Sequence, residues 1–153
     1  MMNLEVNLMN ILIKLSLATV LGGLVGFERA VSRKPAGMRT YILISLGACL
    51  FSEFSVILFQ KFPESVDLSR IASQIVMGVG FIGAGTIMRS GTSVGGLTTA
   101  AAIWVVAAIG TLVGFGLYAE AGLATLFVFI VLILLTPIEK KIVAGVHSLK
   151  NKD

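Results

Sequence analysis

Five apolar stretches, each close to the length that crosses a bilayer, occupy most of this chain and leave few folds open to it. A hydrocarbon core about 30 Å thick takes about 20 mostly apolar residues per helix. Non-helical backbone facing lipid would leave amides and carbonyls unpaired, so such stretches span as helices. They lie near 8–27, 40–60, 71–88, 97–115 and 118–136. Of the 153 residues, 56 % are hydrophobic and 13 % charged, whereas soluble domains are about a quarter charged. A soluble fold of this size could not hide so much apolar surface. The expectation is an all-α, polytopic membrane protein with about five transmembrane helices. Residues 1–137 form the transmembrane helical domain and 138–153 a short basic cytoplasmic tail.

Turn chemistry marks the breaks. Pro35 and Gly37 interrupt the first loop, Pro63 follows the second stretch, and Gly91, Gly95 and Gly96 open the third loop. Asp67 and Ser69 are candidate N-caps for the third helix, and Pro137 closes the fifth. Between the fourth and fifth only Gly116 and Leu117 remain, a very tight turn. The first stretch is read as a retained helix: it lacks a basic leader, carries Glu5 and has no small-residue cleavage site.

Lysine and arginine set the orientation. Arg29, Arg33, Lys34, Arg39 and Arg89, with Lys140, Lys141, Lys150 and Lys152 in the tail, fall on one side. Lys61 and Arg70 fall on the other, joined by Lys14 if it is counted. The positive-inside rule then places the N-terminus outside and the C-terminus in the cytoplasm of a bacterial inner membrane. The tail is expected to lie on the membrane through Ile138, Ile142, Val146 and Leu149, with its lysines toward anionic lipid.

Several chemistries are excluded. One cysteine, Cys49, and one histidine, His147, provide neither a disulfide framework nor a metal cluster. No metal, cofactor or catalytic set is expected. The net charge of +4 fits cytoplasmic loops rather than nucleic-acid binding. Gly78-Val-Gly80-Phe-Ile-Gly83 matches a dinucleotide fingerprint in letters only, because it lies inside an apolar segment and no acidic residue follows until Glu120.

Glycines at Gly22 and Gly26, and at Gly78, Gly80, Gly83 and Gly85, are expected to let helices approach closely. That approach is either within one bundle or, on one face, between two copies. Lys14 and Glu53 sit inside predicted helices at similar depth, and pairing would relieve the cost of isolated intramembrane charges. The alternative is a snorkelling Lys14 beside a protonated Glu53. At the cytoplasmic face the first and third loops are loosely alike, a weak parallel repeat. They would gather Glu28, Arg29, Arg39, Thr40, Arg89, Thr98 and Thr99 beside two helix N-termini, a site for an anion or an acidic partner. The competing reading is topology charges plus threonine N-caps. Trp104 reads as packing or interface anchor, Tyr118 as an outer-belt residue, Arg70 as paired with Asp67, and Gln74 as an interhelical bond.

These segments resemble the MgtC/SapB family of bacterial membrane proteins. The match rests on Gly22-Gly-Leu-Val-Gly-Phe-Glu-Arg29, Pro35-Ala-Gly-Met-Arg-Thr40, Arg70 through Gly85, and Gly96-Leu-Thr-Thr-Ala-Ala-Ala-Ile-Trp104. The resemblance implies about five helices in the plasma membrane, a link to magnesium-limited growth and, in pathogens, to survival in host cells. It also implies regulation of other membrane proteins, such as the ATP synthase or a magnesium pump. Gly95 and Met38 depart from the family's usual basic residue and leucine. Many members carry a soluble C-terminal domain, and here the resemblance covers the transmembrane domain alone. A regulator that binds other membrane proteins is the first expectation, with a homo-oligomer among its expected forms. A transporter or channel for Mg²⁺ or another ion is the second, and a membrane enzyme acting on phosphorylated substrates the third.

Overall fold

The computed structural model describes residues 8–135 with Pro137 and Ile138. The basic tail expected to lie on the membrane falls outside these residues, apart from Ile138. Five helices follow in order: α1 (Leu8–Val31), α2 (Met38–Lys61), α3 (Leu68–Ala84), α4 (Leu97–Gly114) and α5 (Tyr118–Phe129), the last continuing as a π-helical segment, Ile130–Leu134. By length and composition α1, α2 and α4 could each cross a membrane, while α3 and α5 are shorter apolar helices.

The centre is α4, which touches each of the other four helices. Its apolar residues run all round its axis; most of that surface packs on its neighbours, and one face, with Ala101, Trp104 and Ala108, stays exposed. Small residues let it sit there: Ala102, Ala107 and Gly110 are buried beside Ile103, Val106 and Ile109. On α1 the buried positions are Lys14, Ala18, Leu21, Gly22, Val25, Gly26 and Arg29. They recur at three- and four-residue intervals and so form one stripe. The outward faces are apolar too: Phe81 is 85 % exposed, and Met77, Phe51 and Phe127 are also exposed. Soluble monomers rarely expose so many large apolar side chains.

Between α3 and α4 the structure departs from the sequence reading. The third helix ends at Ala84 rather than at Met88. Met88–Ser90 (β1) and Ser93–Gly95 (β2) then form an antiparallel hairpin, so the fold is helical with one small sheet rather than strictly all-α. Gly91, at φ +60° in the two-residue turn, supplies the positive φ that such a tight hairpin needs at its first central position. Gly96, at φ +86°, N-caps α4.

The end of α1 is closed by main-chain bonds. The amide of Lys34 donates to the carbonyl of Arg29, and that of Arg33 to Ala30, the pattern of a Schellman cap. The residue in the left-handed position is usually glycine, but here it is Arg33 at φ 52°, the one non-glycine with positive φ among the described residues. A side chain there costs about 1 kcal/mol. Arg33→Gly should therefore raise the stability of the purified protein by about that amount; an unchanged or lower unfolding midpoint would refute the cap assignment.

Candidate functional site

At one end of the bundle α1, α2 and α4 converge on a single ammonium group. Lys14 Nζ pairs with the carboxylate of Glu53 and donates to the carbonyl oxygen of Gly114 at 2.9 Å. The side chains are only 7 % and 12 % exposed. Gly114 is the last residue of α4, where carbonyls lack helical partners and the helix dipole is negative. A cation there is stabilised by both the carboxylate and the dipole. Tyr118, opening α5, donates to Asn10 Oδ1 at 3.4 Å, so the tight turn between α4 and α5 is tied to α1 at the same level.

From this knot a stripe of small and hydroxyl side chains runs along α2. Tyr41, Ser45, Cys49, Ser52 and Ser55 are all fully buried. Ser52 returns its hydroxyl to the carbonyl of Ala48 at 2.8 Å. Among the described residues, the hydroxyls of Ser45 and Ser55 meet no hydrogen-bond partner. Glycines press against the stripe from both sides. A Cβ at Gly22 would lie 2.7 Å from Ser45 Cβ, one at Gly26 2.7 Å from Met38 Cα, and one at Gly114 2.6 Å from the Cys49 carbonyl oxygen. At Gly110 a Cβ would overlap the Ser45 carbonyl oxygen. Four glycines thus hold α1 and α4 against α2 at backbone distance.

The α3 glycines divide. A Cβ at Gly83 would meet Ala100 of α4, the nearest atom 3.3 Å away, and one at Gly85 only carbonyls of its own helix. Gly78 and Gly80 face open space. Their expected packing inside the bundle is therefore corrected: they lie on the outward face of α3 with Met77 and Phe81. Gln74, expected to bond between helices, is exposed on that face as well.

The other end holds the residues expected to form an anion site. Arg29 is buried and pairs with its neighbour Glu28, whose second oxygen accepts from Ser32 Oγ at 2.7 Å. Tyr41 OH reaches the carbonyl of Thr99 at 3.4 Å, linking the first turns of α2 and α4. Arg39 and Thr98 are exposed and Thr40 half-buried. Arg89 lies on β1 rather than at a helix end, and its Nε donates to the Gly91 carbonyl at 3.1 Å. The seven share one end of the bundle, but hydrogen bonds do not join them into one pocket. Nor do the threonines cap: Gly37 and Gly96 occupy the N-cap positions of α2 and α4, with no side-chain cap bond. Asp67 does cap α3, accepting from the Ser69 amide at 2.9 Å. Those bonds to Ser69 hold its carboxyl below the usual range, and its carboxylate goes to Ser69 rather than into an ion pair with Arg70.

Sequence reading missed an open crevice of about 470 Å³ between the end of α1 and the π-helical segment, bounded below by Pro137. Periodicity does not register a π-turn, so no sequence signal pointed to it.

Comparison with known proteins finds the MgtC family over residues 15–141. Protein SapB of Bacillus subtilis is 40 % identical over 94 % of this chain and 63 % of its own length. Protein MgtC of Brucella abortus is 46 % identical over 79 % of this chain and 49 % of its own. YhiD of Escherichia coli K12, provisionally named a magnesium transporter, is 47 % identical over 70 % of this chain and 52 % of its own. The chain thus spans between about half and 63 % of these relatives. No solved structure matches it.

Proposed function

We infer the function from one premise, that this chain belongs to the MgtC family. It is a multi-pass protein of the bacterial inner membrane that serves magnesium homeostasis by regulating other membrane proteins, not by conducting ions and not as an enzyme. All five helices span, with the N-terminus outside and the C-terminus in the cytoplasm. The two short ones, at about 1.5 Å per residue, approach the thickness of the hydrocarbon core, and each packs alongside α4.

The observation that carries the regulatory reading is the knot. Magnesium prefers several oxygen ligands and gives up its water reluctantly. Glu53, the carboxylate that lies deep among α1, α2 and α4, is already matched by Lys14. The interior beyond it is closed by the contacts of Gly22, Gly110 and Gly114 with α2. A path for a hydrated ion would require parting backbones that now touch.

The name of the YhiD relative favours a second reading, transport of Mg²⁺. Flux into proteoliposomes separates the two. The expected result is no Mg²⁺ entry above empty vesicles, with or without a membrane potential, from protein verified as folded. Entry that exceeds the empty vesicles and falls in Glu53→Gln would overturn the regulatory reading. Crosslinking in native membranes should then capture a second membrane protein with the wild-type chain.

A further inference from the structure

We propose that the crevice between the C-terminal ends of α1 and α5 holds an acyl chain of an anionic phospholipid, whose phosphate is met by Arg33 and Lys34. The crevice has an apolar body and a polar mouth. Phe27 and Val31 line it from α1, and Phe129, Leu132 and Ile133 from α5. Phe27, Val31 and Ile133 are each at least half exposed on the bundle surface, so a chain can enter sideways from the bilayer. The upper half of α5 lies close to its neighbours through buried Ala121 and Thr125. The lower half turns π-helical and presents larger side chains. Such π-turns recur at binding sites because they re-aim side chains without ending the helix.

Charge decides which headgroup fits. Glu28 and Ser32 stand at the mouth, but the carboxylate of Glu28 is taken up by Arg29 and Ser32. The next two residues of the chain, Arg33 and Lys34, are exposed and cationic, and Lys34 lies within electrostatic reach of Glu28. With Glu28 and Arg29 cancelling, the uncompensated charge next to the mouth is that of Arg33 and Lys34, which follow the lining residue Ser32 in the chain. Basic residues at a membrane surface select anionic lipid. The strained backbone of Arg33 adds an independent pointer. Glycine would suit the fold better there, and strain of this kind is kept where a side chain has work to do.

The test uses the purified full chain in mixed micelles containing phosphatidylglycerol and phosphatidylcholine with identical acyl chains, read by native mass spectrometry. Wild type should retain phosphatidylglycerol over phosphatidylcholine by about tenfold or more. The double variant Arg33→Gly, Lys34→Gln should lose that preference while unfolding no earlier than wild type, so that misfolding does not explain the loss. Ile133→Trp, which fills the crevice, should lower retention of both lipids. Equal retention of the two lipids by wild type would overturn the proposal, as would a preference that survives the double variant or retention unaffected by Ile133→Trp. Displacement of the lipid by inorganic phosphate at matched concentration would also overturn it, since the site would then read the anion alone.

Discussion

Lys14→Met should lower the stability of the folded chain by about 3–5 kcal/mol, the usual cost of removing one partner of a buried pair. Two groups would be stranded together. The carboxylate of Glu53, 12 % exposed, would lose its counter-charge, and the carbonyl of Gly114 would lose its donor. Methionine matches the length and apolar character of the lysine stem, so packing along α1 is largely kept and the loss reports the charge. Glu53→Gln should also destabilise, by leaving the ammonium without its anion. The double variant Lys14→Met, Glu53→Gln removes both charges and should recover most of the loss, because two buried charges stabilise little beyond the cost of dehydrating them. Denaturant unfolding of the four proteins in one detergent measures the coupling. Losses that simply add would show that Lys14 and Glu53 act independently, and the knot would cease to be a unit.

How much of this was legible in the sequence differs from element to element. Helix positions were, because runs of apolar residues between Pro35, Pro63 and Gly91 leave the backbone no other way to pair its polar groups. The depth of Lys14 and Glu53 was also readable, since rise per residue converts position into depth. That Gly114 joins them was not: a main-chain carbonyl at a helix end has no sequence signature. The central place of α4 was hidden for a related reason. A uniformly apolar helix has no periodicity to say which neighbour it faces, and the sequence of α5 looks as apolar as that of α4. Spacing also misled at α3. Gly78, Gly80 and Gly83 read as one packing motif, yet only Gly83 meets α4, because at 100° per residue the other two point elsewhere. At the far end, Arg29, Arg39 and Arg89 were alike as letters. Burial, which sequence does not give, separates the paired Arg29 from the two exposed arginines.

The largest contrast among the glycines should appear between α4 and α3. Gly110→Ala should destabilise by about 3 kcal/mol, at the upper end of what overpacking costs. Its Cβ would overlap the carbonyl oxygen of Ser45, and that oxygen is fixed in the main chain of α2, with no rotamer to move away. The penalty is compounded by place: Gly110 lies on the hub helix, so any shift that relieves the overlap also moves α4 against its other neighbours. Gly78→Ala and Gly80→Ala meet nothing within 4 Å and should be neutral, or stabilising by up to about 1 kcal/mol through helix propensity. Thermal unfolding of the three variants beside wild type in one detergent checks this order. If Gly110→Ala unfolds with wild type, α2 and α4 are not in backbone contact and the sealed interior that argues against ion conduction falls with it. If Gly78→Ala leaves the monomer intact but reduces self-association in the bilayer, the open face of α3 is where two copies meet, the one arrangement in which a glycine facing outward would still be a packing residue.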